Sequence, residues 1–163
     1  MYEHSELTEK IIKAAHNVHN TLGYGFLEKV YHKAMVIELQ SMGLSAAAGK
    51  PITVYYANQI VGEYFADIVV SDKVIVEIKA VQALIPAREV QLVNYLKATD
   101  IDVGLLLNFG ESLTDCPQKL FEISLRNQRN PRQKAVLIPL RQSAKSASKN
   151  FSFFSCISYR CLL

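Results

Sequence analysis

The segment that most constrains this chain is residues 64–80, YFADIVVSDKVIVEIKA, in which two apolar, β-branched arms flank a short polar turn. This pattern predicts a β-hairpin with arms at Phe65–Val70 and Val74–Lys79, joined by a loop at residues 71–73. Side chains alternate along a strand, so one face of this hairpin is wholly apolar and is predicted to be core: Ile68, Val70, Val74, Val76 and Ile78.

The other face of the hairpin is charged. With the loop at residues 71–73, Val70 faces Val74, and the same register places Asp67 opposite Glu77. Alternation then puts Asp67, Glu77 and Lys79 on one face. This is the chain's first candidate site.

Two carboxylates that face each other across a strand pair repel, so a compensating cation is expected. Lys79 could supply it as an ion pair. A divalent metal could supply it instead, because hard oxygen ligands suit magnesium or manganese. A third interpretation is a charged, solvated sheet face without function. The pattern alone does not decide between a site and a solvated face.

Charge is distributed unevenly along the chain. The 163 residues predict one domain. Residues 1–125 contain 10 Lys and Arg against 15 Asp and Glu, whereas residues 126–163 contain 8 basic residues and no acidic one. An acidic body is a poor non-specific binder of nucleic acid, which counts against a nucleic-acid function unless metal or a local basic patch offsets the charge.

Targeting signals and cysteine usage favour a cytoplasmic protein that does not enter the membrane. No apolar run approaches the roughly 20 residues that span a bilayer. The first ten residues, MYEHSELTEK, lack the basic and apolar regions of a signal peptide. The three cysteines, Cys116, Cys156 and Cys161, form neither a metal-ligand spacing nor an even set, as expected in a reducing compartment.

Two helices are predicted before the hairpin. Apolar residues at helical spacing indicate a helix over Ser5–Leu22 with Ser5 as its N-cap, and a second over Phe26–Met42 that Gly43 ends. Glu28 lies near the start of the second helix, where the helix dipole alone explains a carboxylate. The functional alternative is a third carboxylate directed at the charged hairpin face.

Strands at Ile52–Tyr56 and Gln59–Tyr64 precede the hairpin and complete a predicted antiparallel meander of about four strands. After it, Pro86 is predicted to open a helix over Ala87–Ala98, on which Gln91 and Tyr95 share a face.

The apolar run Val103–Phe109 predicts a buried strand. Because it follows a helical crossover, it is expected to lie parallel to a strand of the meander. A last helix is predicted around Gln118–Leu125.

Several segments of the chain together resemble a known family. GFLEKVY at residues 25–31 fits the pattern for which the GxxExxY proteins are named. The surrounding segment HNVHNTLGYGFLEKVYHKAM fits as well, and the further matching segments follow it in order: YFADIVV, VIVEIKAV, QLVNYL and VGLLLNFG. This family is similar to a branch of the PD-(D/E)XK nuclease-like superfamily. The resemblance implies a restriction-endonuclease-like α/β (α+β) fold, a mixed central sheet of about five strands flanked by helices. The similarity runs from about Leu7 to about Leu125, and residues 1–126 are expected to form the nuclease-like domain.

The resemblance also implies site residues. Asp67 matches the superfamily's aspartate, and Glu77, Ile78 and Lys79 match its (D/E)XK element. Glu28 resembles the carboxylate that a first helix often supplies to such folds. Asp67, Glu77, the Ile78 carbonyl and Glu28 would then hold Mg²⁺ or Mn²⁺.

Two further catalytic candidates come from the same resemblance. Gln91 and Tyr95 resemble the QxxxY element of some exonuclease-like branches, which would position the metal shell or the substrate. The implied activity is metal-dependent hydrolysis of nucleic-acid phosphodiester bonds, with DNA favoured over RNA. The alternative is a catalytically silent fold that binds nucleic acid or protein.

Oligomeric state and the C-terminal residues are predicted only in outline. An exposed edge strand in a small meander would favour a homodimer. Residues 127–163 are predicted as a basic, flexible C-terminal extension with weak association to nucleic acid. A sequence unrelated to function is the other interpretation of this extension.

Overall fold

A computed structural model describes residues 4–110, with side chains, and the backbone of residues 119–122 and 136–139. The elements in chain order are α1 Ser5–Leu22, α2 Glu28–Ser41, β1 Ala46–Tyr56, β2 Gln59–Val70, β3 Val74–Lys79, α3 Pro86–Lys97, β4 Val103–Asn108, β5 Lys119–Glu122 and β6 Val136–Pro139.

The six strands form one mixed sheet in the order β1-β2-β3-β4-β5-β6. Strands β1, β2 and β3 are antiparallel neighbours, β3 and β4 are parallel, and β4, β5 and β6 are again antiparallel. The parallel pair follows from α3, since a helical crossover returns the chain in the same direction. This confirms the predicted mixed α/β fold and the parallel placement of β4, with six strands where about five were expected.

Helices cover both faces of the sheet. Helices α1 and α2 pack on one face through buried residues that include Ile11, Tyr31 and Met35. The five apolar residues predicted as the core face of the hairpin all belong to this cluster, as the alternation predicted. Helix α3 packs on the opposite face, through Leu92 and Leu96.

The predicted four-strand meander is a three-strand one. Residues 59–64 and 65–70 form the single strand β2, because no turn-forming residue separates them. The turn before it is the predicted one: Ala57 and Asn58 have φ of 47° and 61°, the left-handed values that a two-residue hairpin turn needs.

The predicted helix around Gln118–Leu125 is wrong. Lys119–Glu122 is the strand β5, which pairs antiparallel with β4 over Val103–Leu106. A segment this short gains little from helix propensity, whereas the open edge of β4 offers unpaired backbone groups along its length.

The helix starts are shifted slightly from their predicted positions. His4, not Ser5, occupies the N-cap of α1, with φ of 57° and no capping side-chain bond. Helix α2 begins at Glu28, two residues later than predicted, and Gly43 follows its end with a positive φ of 76°.

Strand β6 lies beyond residue 126, where the C-terminal extension is predicted to begin. The sheet therefore continues into that part of the chain, and the other residues of the predicted extension lie outside the described ones. Within the described residues, no helix has the length and apolar character needed to cross a bilayer.

Candidate functional site

The site lies where β2 and β3 stop pairing. The two strands pair at Val70–Val74, the predicted register, and the ladder runs on to Ile68–Val76. One position further, Asp67 makes a different contact: its Oδ2 accepts a hydrogen bond of 2.8 Å from the backbone N–H of Ile78. The Asp67 carboxylate thus takes the place of a main-chain acceptor at the end of the ladder.

Four predicted site residues converge on the ammonium of Lys79. Its Nζ lies 3.2 Å from Glu77 Oε2, 3.7 Å from Asp67 Oδ2 and 3.8 Å from Glu28 Oε1. It also donates a 2.9 Å hydrogen bond to the Ile78 carbonyl. Three elements supply these groups: the first residue of α2, the last third of β2 and the end of β3. We call Glu28, Asp67, Glu77 and Lys79 the acidic cluster.

Burial separates the cluster from an ordinary charged surface. Glu77 is 1% exposed and Lys79 is 6% exposed, so neither belongs to a solvated sheet face. Glu77 Oε1 is the one buried side-chain nitrogen or oxygen of the described residues that has no hydrogen-bond partner. Buried carboxylate oxygens are rarely left unpaired, so this atom is a natural position for an additional cation.

Electrostatics within the cluster shift two pKa values. Burial, reinforced by the charge of Asp67, raises the pKa of Glu77 to about 7 against the opposing effect of Lys79. For Lys79, burial favours the neutral form, but Glu77, Asp67 and Glu28 outweigh it and raise the pKa. The lysine is therefore charged at neutral pH, whereas the glutamate is close to its titration point.

The donor set suits a hard divalent cation. Glu28, Asp67 and Glu77 offer carboxylate oxygens, and Ile78 offers a backbone carbonyl, which are the ligand types that magnesium and manganese take. Three acidic side chains against one lysine leave an excess of two negative charges when all are ionised. Among the described residues, no three His, Cys, Asp or Glu side chains already surround a common metal position.

Gln91 and Tyr95 lie on α3, which packs on the sheet face opposite α1 and α2. Gln91 Nε2 donates a 2.8 Å hydrogen bond to Tyr95 Oη, and the Tyr95 ring lies 5.9 Å from that of Tyr64. In the part of the chain with described side chains, neither residue bonds to the acidic cluster. Their assignment to the site stays a prediction.

Two supporting contacts were missed from the sequence. His32 Nε2 lies 2.6 Å from the Asp67 carbonyl oxygen, so this nitrogen carries the proton and ties α2 to the end of the β2–β3 ladder. A signal was available, because His32 follows Glu28 by four residues and so shares its helix face.

The second missed contact lies just after Lys79. Asn108 Oδ1 accepts a 2.9 Å hydrogen bond from the backbone N–H of Val81, and Asn108 Nδ2 donates one of 2.8 Å to the Val81 carbonyl oxygen. The backbone N–H of Phe109 donates to the Lys79 carbonyl at 2.7 Å. These bonds fix the course of the chain after Lys79. Asn108 was visible as a lone polar residue at the end of an apolar strand.

Comparison with known proteins identifies a superfamily for this chain. A family model described as the PD-(D/E)XK nuclease superfamily matches residues 5–140. No curated protein and no solved structure matches the chain. The match spans most of the 163 residues, including every strand described above. The chain belongs to the PD-(D/E)XK nuclease superfamily.

Proposed function

We propose that this protein is a divalent-metal-dependent nuclease that hydrolyses phosphodiester bonds at the acidic cluster. The observation that carries the proposal is the unpaired, buried Glu77 Oε1 inside a group with excess negative charge. Superfamily membership supports the same chemistry.

In this proposal Asp67, Glu77, the Ile78 carbonyl and Glu28 hold Mg²⁺ or Mn²⁺. When bound, the ion supplies a water of lowered pKa and stabilises negative charge on the phosphate oxygens. Glu28 begins α2, so it reaches the cluster from the face opposite α3 and completes the set of oxygen donors.

Lys79 has a separate role. Its ammonium is held by three carboxylates and the Ile78 carbonyl, and its raised pKa keeps it charged at neutral pH. In this proposal Lys79 orients the attacking water or neutralises charge that develops on the phosphate. Gln91 and Tyr95 are assigned to substrate positioning, supported by their mutual hydrogen bond on the face of α3 that meets the sheet.

The finer family assignment is also a proposal. We assign the chain to the GxxExxY branch, supported by the Tyr31 hydroxyl, which donates to Gly23 O and accepts from Phe26 N, and so holds the turn ahead of Glu28. The substrate is assigned as DNA rather than RNA, and residues 1–126 as the nuclease-like domain.

A cleavage assay tests the proposal. The full chain is incubated with labelled single- and double-stranded DNA and RNA, in magnesium and in EDTA. We expect magnesium-dependent cleavage by wild type and a loss of about 100-fold or more in Asp67→Asn and in Lys79→Met. Asp72→Asn is the matched control, because Asp72 is an exposed carboxylate that pairs with Lys50 outside the cluster.

Folding of each variant is checked by its thermal unfolding, since Lys79→Met leaves three carboxylates without their cation. Cleavage that survives in Asp67→Asn would contradict the assigned site. A folded wild type that cleaves no substrate of the panel would favour the catalytically silent module, which the acidic body also favours.

A further inference from the structure

Two carboxylates of the acidic cluster, Glu28 and Asp67, come from outside β3, and exposed aromatic rings precede each of them in the chain. Two lie in the α1–α2 connection just before Glu28, and one lies on β2 just before Asp67. These residues are 60%, 50% and 63% exposed, respectively. We call this set the aromatic rim: Tyr24, Phe26 and Phe65.

The rim lies close to the acidic cluster. Phe65 is two residues before Asp67 on the same strand, which corresponds to about 7 Å along β2. Phe26 is two residues before Glu28, at a similar maximum reach of about 7 Å. A ligand whose phosphate lies at the cluster therefore has neighbouring groups within reach of these rings.

A buried tyrosine holds one ring of the rim. Phe26 meets Tyr31 edge-on at 6.3 Å, and the Tyr31 hydroxyl accepts the Phe26 N–H at 3.2 Å. Tyr64, next to Phe65, points to the opposite side of β2 and lies against Tyr95 of α3 at 5.9 Å, so it is not part of the rim. The Phe26 ring is thus fixed on one side while about half of the residue remains open, an arrangement suited to stacking flat groups.

Charge favours bases over phosphates as the main contact. Residues 1–125 contain 10 basic and 15 acidic side chains, so the body does not attract a phosphate backbone strongly. Base–aromatic stacking supplies affinity without such charge and tolerates any sequence. Paired bases in a duplex keep their faces stacked on one another, so only an unpaired strand can use the rim.

We propose that the aromatic rim stacks the bases of single-stranded nucleic acid and makes single strands the substrate class of this site. The cleavage part rests on the function proposed above, whereas the binding part does not. The rim is distinct from the exposed apolar residues at the tip of the β1–β2 hairpin, which include Tyr56 and Ile60.

Binding is tested with the full chain in EDTA, by anisotropy of three 3′-labelled probes: a 20-nucleotide thymidine strand, its duplex with the complementary strand, and a 20-nucleotide abasic strand. We expect the thymidine strand to bind at least ten-fold more tightly than the other two. The abasic strand keeps the phosphates and removes only the stacking groups.

Variants then locate the contact. Phe26→Ala and Phe65→Ala are expected to weaken binding of the thymidine strand by roughly 5- to 100-fold each. Phe65→Tyr should retain it, and Phe65→Leu, which stays apolar but loses the ring, should not. Ile37→Ala is the control, since Ile37 is equally exposed on α2 but nine residues beyond Glu28.

Equal binding of the abasic strand, or full binding by Phe65→Leu, would overturn the inference. A second result would also overturn it: sedimentation shows a wild-type dimer that Phe65→Ala converts to monomers, and the thymidine strand does not bind. A second copy of the chain would then cover the rim. Rim-dependent binding without cleavage in magnesium would sustain the inference and contradict the nuclease. Cleavage confined to duplexes would do the reverse.

Discussion

At the scale of single residues, the central feature is a lysine buried among three carboxylates. Removing such charges from water is unfavourable, and replacing a buried ion pair with apolar residues is often neutral or stabilising. Lys79 and Glu77 occupy β3 positions where the flanking residues Ile78 and Val76 are fully buried aliphatics. A requirement of stability alone would be met more simply by apolar residues, so the cluster points to function.

Glu77 should make the metal-free protein less stable as pH rises. Its pKa is about 7 in the folded protein against an ordinary value of 4.5, so the folded state binds the proton more tightly. The stabilisation is complete below about pH 4.5 and is lost as pH rises through about 7. We expect the wild-type Tm in EDTA to fall between pH 5 and pH 8 relative to that of Glu77→Gln, which cannot titrate.

The control for this comparison is Glu63→Gln, which alters an exposed carboxylate on the same sheet. If the Tm values of wild type and Glu77→Gln run parallel across this pH range, that result would contradict the assigned burial and charge environment of Glu77.

The sequence was sufficient to predict Asp67, Glu77 and Lys79 as a group, because strand alternation and a hairpin register depend only on neighbouring residues. It did not reveal that Glu77 and Lys79 are buried, or that His32 bonds to Asp67 across 35 positions. These features depend on how α2 packs against the sheet, which no local pattern encodes.

At the scale of elements, Tyr31 determines how α2 begins. Its ring is fully buried and stacks on Phe109 at 4.6 Å, and its hydroxyl bonds to Gly23 O at 3.0 Å and Phe26 N at 3.2 Å. The turn between α1 and α2 is thereby tied to the core, which places Glu28 at the acidic cluster.

Tyr31→Phe should lower the free energy of unfolding by about 1 to 2 kcal/mol, because the ring packing is kept while two hydrogen bonds to the backbone are lost. Urea denaturation measures the change. Tyr56→Phe, at an exposed position in the hairpin, should leave stability unchanged. A Tyr31→Phe protein as stable as wild type would show that the hydroxyl does not hold this turn.

Predictability also differs among elements. The spacing of apolar residues predicted α1, and Pro86 as a helix opener predicted α3, each within one residue of its observed ends, and the run VGLLLN predicted β4. The prediction failed at β5, whose four residues become a strand because β4 offers a partner. The prediction also divided β2 into two strands. The length of a strand depends on its partner, and β2 pairs with β1 from Gln59 to Val70.

At the scale of the whole molecule, the fold brings the site together from distant parts of the chain. Helix α3 makes β4 parallel to β3 and so supports Lys79 from the Asn108 side. Helix α2 brings Glu28 and His32 from the other face. The β2–β3 ladder ends between these two contributions. The acidic cluster is therefore built from three elements, α2, β2 and β3.

The decisive measurement is calorimetric titration of magnesium into the full chain at pH 8, where Glu77 is mostly ionised, with wild type compared with Glu77→Gln. We expect wild type to bind magnesium, Glu77→Gln to lose this binding while remaining folded, and the control Asp72→Asn to bind as wild type does. No binding by folded wild type at millimolar magnesium, or equal binding by Glu77→Gln, would contradict the proposed metal site.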